Sequence, residues 1–275
     1  MNKKKKSNRL NFILLIFIIL LCICVIGIFN YLFKAQKELD AFKEIKPKES
    51  IIKDVNMRYY IIDGQIVQEK FKDLYLENRD LMGWLTIDDT VIDYPVMQTL
   101  QDEQFYLHMD FNKNYSYSGC IFADTSSDIK LPSDNILLYG HHMATGTMFA
   151  PLLKYENQDW ADKHKYIQFD TLYENGTYEV IAAFRTEIFP EGYSGFIYDT
   201  FFNAEYENDF NSYVENIKKL SVIQNDIPIN YGDKLLSLST CAYHTQNGRF
   251  VVVAKKVKTL RISENQPPVK IILSK

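Results

Sequence analysis

Leu235-Leu236-Ser237-Leu238-Ser239-Thr240-Cys241, followed after five residues by Asn247-Gly248-Arg249-Phe250-Val251-Val252-Val253, is the stretch that decides how this chain is read. Two short apolar runs rich in β-favouring residues flank an Asn-Gly pair, the dipeptide that best tolerates the positive φ angles of a tight hairpin turn. Lys234–Cys241 and Phe250–Val257 are therefore expected to be antiparallel neighbours. The turn at Asn247-Gly248 returns Arg249 alongside Cys241.

Six more runs of the same kind lie upstream: Trp84–Ile87, Val91–Met97, Cys120–Ala123, Asn135–Tyr139, Tyr166–Phe169 and Tyr178–Phe184. Short strands in series predict a mainly β protein whose sheet closes or nearly closes on itself. Asn175-Gly176 reads as hairpin punctuation before one of them. One helix interrupts the series. Tyr206, Phe210, Tyr213, Val214, Ile217 and Leu220 recur at helical spacing behind acidic Glu205, Glu207 and Asp209, in an insertion before the cysteine strand. A shorter helix is expected over Met148–Tyr155, and the spacing of Val67, Phe71 and Leu74 predicts an amphipathic helix after a charged stalk at 34–56. The tail after Val257 contains Pro267-Pro268, so any further strand waits until Val269–Leu273.

Of the 275 residues, 47% are hydrophobic and 14% aromatic, which excludes a chain disordered over most of its length. Mean hydropathy of −0.21 excludes a multi-span membrane protein. It leaves room for one apolar segment. Residues 12–29 carry no charge and the run continues to Phe33; as a helix, these residues reach ~33 Å, about one hydrocarbon thickness. Lys3, Lys4, Lys5, Lys6 and Arg9 precede it, and residues 1–33 contain no Asp or Glu. The positive-inside rule then places residues 1–10 in the cytoplasm as a basic tail, 11–33 in the membrane as an uncleaved anchor, and the rest outside. Setting those five cations aside leaves 26 Lys and Arg against 35 Asp and Glu, about −9 for the exported part. Nucleic acid is not an expected partner. Cys22 and Cys24 sit in the anchor, and Cys120 and Cys241 in the exported part, where one disulfide is possible but not needed by a domain of this size.

Cysteine catalysis requires a thiolate, a proton donor for the leaving group and a donor to the tetrahedral oxyanion. Candidates stand at strand ends: Cys241 closes its strand, His141 and His142 follow Ile136–Tyr139 through Gly140, and Arg249 opens the strand after the hairpin.

Leu238-Ser239-Thr240-Cys241, Asn247-Gly248-Arg249-Phe250-Val251-Val252 and Tyr139-Gly140-His141 together resemble the sortases, the cysteine transpeptidases of Gram-positive bacterial surfaces. Gly83-Trp84-Leu85, Tyr94-Pro95-Val96-Met97-Gln98 and Tyr106-Leu107 resemble the start of the same domain. The resemblance covers about 80–257, and the insertion helix and N-terminal helical region are similar to class B. It implies an eight-stranded β-barrel catalytic domain at 80–257, with stalk and N-terminal helices at 34–79 and a C-terminal tail at 258–275. It implies Cys241 as nucleophile, His141 as general acid and base, Arg249 as donor to substrate backbone and oxyanion, and Ser239 and Thr240 as substrate-binding residues. Of the histidine pair, His142 is the flanking member. The implied reaction is attack of Cys241 on the Thr carbonyl of a sorting motif, release of the C-terminal segment, and transfer of the acyl group to an amine of peptidoglycan or its lipid-linked precursor. No metal or other cofactor is implied. The partners implied are surface proteins bearing that motif. Two departures stand out: Ser237-Leu238 where the family usually has Thr-Leu, and Ala242 where some class B members have an acidic residue.

Three other readings use the same residues. A secreted cysteine protease shares the chemistry up to the acyl-enzyme, but no Asn or Asp partner for the histidine is identifiable. A zinc-binding module would use His141, His142, Cys241 and His244, without the spacing of known zinc motifs. An inactive peptide-binding homologue is disfavoured because Cys, His and Arg are all present.

Overall fold

The computed structural model describes residues 2–47, 58–242, 245, 247–261 and 268–273. His244, stalk residues 48–56 and Pro267 lie outside the described residues. The chain divides into two compact units, Met1–Ala41 and Phe42–Lys275. The first is helical: it lies within α1 (Asn2–Ile45), which exceeds the expected anchor at both ends because the charged residues before 11 and after 33 are helical too. Its apolar part is unburied and long enough to cross a membrane.

The second unit holds a closed barrel. Its strands in chain order are β1 (Tyr59–Ile62), β2 (Gln65–Gln68), β3 (Leu81–Thr86), β4 (Asp93–Met97), β5 (Ile121–Ala123), β6 (Asn135–Tyr139), β7 (Tyr166–Thr171), β8 (Glu174–Glu187), β9 (Leu235–Cys241), β10 (Gly248–Arg261) and β11 (Ile271–Ile272). β3 to β10 close the barrel in the order β10-β8-β7-β3-β4-β5-β6-β9. The eight strands expected from apolar runs are these eight. Two neighbouring pairs are parallel, β4 with β5 and β6 with β9, which brings the C-terminal ends of β6 and β9 to the same rim.

Helix α4 (Glu207–Leu220) covers the outside of that region. Phe210, Tyr213, Val214 and Ile217 are buried against Leu137, Ile181, Phe184, Leu235, Val251 and Val253. Burying each such side chain is worth about 1.5–3 kcal/mol, more than the intrinsic helix preference of 14 residues supplies. The Tyr206 N–H donates to the Asp209 carboxylate at 2.9 Å, closing the helix start. Tyr206 and Leu220, expected on the apolar face, are exposed at its two ends. Because α4 buries the outer face of β9 while the barrel buries the inner one, the strand's serines need internal partners. Ser237 bonds Asn135 at 2.8 Å and Ser239 bonds the Tyr198 hydroxyl at 2.8 Å.

Four expectations need correction. Val67 belongs to β2, and only Leu74 lies in an α-helix, α2 (Lys72–Glu77); the Asp63-Gly64 turn, with both residues at positive φ, makes 59–68 a hairpin. Asn175-Gly176 sits inside β8, since the turn forms over the preceding residues, with Asp170 opposite Asn175. Gly176 is needed for space there: a Cβ would lie 2.9 Å from the Phe169 carbonyl oxygen. The run at Met148–Tyr155 is a 3-10 helix over Ala150–Glu156, followed by α3 (Gln158–Lys163). Finally, β10 continues four residues into the expected tail; β11 lies within the strand expected at Val269–Leu273 and pairs in parallel with β1.

Candidate active site

Cys241 is the last residue of β9 and is only partly buried. Across the β9–β10 hairpin its partner is Arg249. The Ala242 N–H donates to the Gly248 carbonyl at 2.9 Å, so the hydrogen-bonded rung lies one residue beyond. Cys241 and Arg249 thus form a non-hydrogen-bonded pair, the kind whose side chains stand closest on one face. On the other side, β6 runs parallel with Tyr139 opposite Ser239, and the Gly140 N–H donates to the Ser239 carbonyl at 3.2 Å. Two residues beyond that pair come His141, just past the end of β6, and Cys241, the last residue of β9. Gly140 is required in between, since a Cβ there would lie 2.5 Å from Ile121 Cδ1 and 2.8 Å from Phe149 Cδ2.

His141 is held by a backbone carbonyl. Its Nε2 lies 2.9 Å from the Leu107 oxygen. A carbonyl only accepts, so Nε2 carries a proton. Burial, aided by the neighbouring His108, lowers the His141 pKa against the opposing pull of that carbonyl. The neutral ring therefore has Nδ1 free of a proton and able to take one. The His108 ring lies 5.6 Å away, centroid to centroid. Leu107 is itself fixed by its surroundings: Gly119, at φ +60°, passes so close that a Cβ would clash with the Tyr106 and Leu107 carbonyl oxygens.

The Arg249 Nη1 donates to the Gly248 carbonyl at 3.1 Å, and its charge acts on Tyr198 and Asp199 from the segment before α4. Burial and repulsion from Asp124 raise the Asp199 pKa, and Arg249 opposes them. The two cysteines of this unit are free thiols. Cys120 is buried, and burial pushes its thiol pKa well up, whereas Cys241 stands at the rim with His and Arg on either side.

A family model described as the sortase domain matches residues 85–257. The chain belongs to the sortase family. Two curated relatives are similar over 246 residues each. Sortase B of Staphylococcus aureus is 31% identical over 87% of this chain and 95% of its own length. Sortase B of Listeria monocytogenes is 31% identical over 86% of this chain and 95% of its own. Among solved structures, the Staphylococcus aureus sortase B–substrate complex superposes with a TM-score of 0.63 and 34% identity, covering 70% of this chain and 86% of that one. Membership makes this chain a cysteine transpeptidase of the kind that anchors surface proteins to the cell wall.

The residues expected at the site of this sortase fall into two groups. Cys241, Arg249 and His141 stand at the ends of three adjacent strands. The hydroxyls of Ser239 and Thr240 are committed inside the fold, Ser239 to Tyr198 and Thr240 to the Gly140 carbonyl at 2.7 Å, and both residues are buried. Sequence reading missed the Leu107 carbonyl, His108, Tyr198 and Asp199. A backbone acceptor leaves no signature in side-chain type, and the segment at 198–199 meets β9 only through the fold of the insertion.

Proposed function

We propose that this sortase cleaves secreted proteins at a C-terminal sorting motif and joins them to an amine of peptidoglycan or its lipid-linked precursor. In this reading Cys241 is the nucleophile, His141 the general acid and base, and Arg249 the oxyanion donor. The observation that carries it is the register that sets Arg249 opposite Cys241 and lays the end of β6, two residues before His141, beside β9 two residues before Cys241.

The thiol proton passes to the His141 ring, and the Cys241 thiolate attacks the carbonyl carbon of the motif's Thr. Electron density moves onto the carbonyl oxygen, which the planar guanidinium of Arg249 receives as a paired donor. The tetrahedral intermediate collapses by breaking the C–N bond, and His141 delivers its proton to the departing amine. A thioester on Cys241 remains. The acceptor amine gives a proton to His141 as it attacks, the C–S bond breaks, and a new amide forms with the thiolate restored.

The apolar residues 12–33 form the anchor, with the basic segment at Lys3–Lys6 and Arg9 on the cytoplasmic side and the barrel outside. Incubating the full chain in detergent with a library of Thr-containing pentapeptides, with and without triglycine, tests the reading by mass spectrometry. The expected result is a thioester at Cys241 and a triglycine adduct of the N-terminal fragment. Hydrolysis alone, unaffected by triglycine, would identify a protease instead.

A further inference from the structure

The β6–β9 ladder advances by two residues on each strand per rung. Beyond the rung from the Gly140 N–H to the Ser239 carbonyl, the same pattern would put the next at His142 and the carbonyl of Cys241. At that rung His142 presents its imidazole, with Nδ1 3.2 Å from the Cys241 oxygen. Because the oxygen can only accept, the proton of this bond sits on Nδ1.

The peptide unit that contains the Cys241 carbonyl also contains the Ala242 N–H, which donates to Gly248 at 2.9 Å. One peptide plane is therefore gripped from both neighbouring strands, by an imidazole on the β6 side and by the β10 backbone on the other. The orientation of that plane sets ψ of Cys241 and, with it, where the Cα–Cβ bond aims the sulfur. His142 is in turn held by the loop that follows it. It bridges to Met148, whose N–H donates to the Tyr94 hydroxyl at 3.1 Å, and the Phe149 N–H bonds the His141 carbonyl at 2.9 Å.

We propose that His142 is a positioning residue whose Nδ1–H clamps the Cys241–Ala242 peptide and aims the thiol between His141 and Arg249. This deepens the reading of Cys241 as the nucleophile and rests on it.

The test compares Asn, Gln and Ala at 142 in the full chain in detergent, with the Thr-containing pentapeptide cleaved fastest from the library and triglycine as acceptor. An Asn side-chain amide places its N–H near where Nδ1 stands, whereas Gln places it nearer to Nε2. His142→Ala and His142→Gln should each lose about fivefold or more in kcat with little change in KM, the pattern of a misaligned reacting group. His142→Asn should recover most of kcat and keep the shape of the parent pH profile. Equal activity of the Asn and Gln variants, with melting temperatures matching the parent, would overturn the clamp. Loss of one limb of the pH profile in His142→Asn would overturn it too, making His142 the acid and base. Cys241→Ala is the control: if it stays active, the nucleophile assignment fails and the clamp falls with it.

Discussion

Arg249 stands directly opposite Cys241 across the β9–β10 hairpin as a non-hydrogen-bonded pair. That pairing puts a permanent cation on the same face as the thiol, one strand away, without requiring either backbone to leave its ladder. Any shift of the hairpin by one residue would send one of the two side chains to the opposite face.

Arg249→Lys should therefore lose activity although the charge is kept. An ammonium is a point donor and cannot reproduce the flat guanidinium fork, and the loss of one oxyanion donor costs about a hundredfold in kcat. Steady-state kinetics of the variant checks this; near-parental kcat would reduce Arg249 to a structural charge.

The two thiols of the barrel unit should behave oppositely. Cys241→Ala is expected to lower peptide cleavage about a thousandfold or more, and Cys120→Ala to leave most of it. Burial disfavours the thiolate of Cys120, so iodoacetamide applied to the native protein should label Cys241 before Cys120. Peptide mapping reads the site of labelling, and preferential labelling of Cys120 would contradict the assignment.

The lowered pKa of His141 has a consequence for stability. Its folded value lies below that of the unfolded chain, about 6.5, so the unfolded state binds more protons in the window between them. Stability from this source is complete above the unfolded value and is lost as pH falls through the folded one. Melting temperatures measured between pH 7 and 5 should fall more steeply for the parent than for His141→Gln. Parallel curves would show that His141 is not held neutral by its surroundings.

Gly140→Ala should destabilise the barrel unit by about 1–3 kcal/mol, the usual cost of forcing a methyl into a packed site. Its Cβ would press on Ile121 and Phe149, so either ring or strand must move, and His141 moves with them. Thermal melting and kcat should fall together. A variant with unchanged melting temperature and activity would show that the contact relaxes freely.

Activity should persist in EDTA. Among the described residues, no group of three or more His, Cys, Asp or Glu side chains is placed to hold a metal ion. Complete loss of transpeptidation in the chelator, restored by calcium or zinc, would refute this.

Local pattern was enough wherever one residue's environment depends on its near neighbours. The apolar run at 12–33, the eight barrel strands and the hairpin that returns Arg249 to Cys241 were legible because strand propensity, helix length and turn chemistry act over a few residues. The same local logic misled at Val67–Leu74, where helical spacing coincides with a hairpin and a short helix packed into the core. What only the tertiary structure decided is long-range. The parallel pairing of β6 with β9 joins residues about a hundred positions apart, and from it follow the place of His141 just past the end of β6, the grip of His142 on the Cys241 carbonyl and the commitment of Thr240 to Gly140. The hold of the Leu107 carbonyl on His141 and of Tyr198 on Ser239 are of the same kind. Hydrogen bonds between distant segments depend on which strands become neighbours, and that is set by closure of the barrel and burial of both faces of β9, which no window of sequence contains.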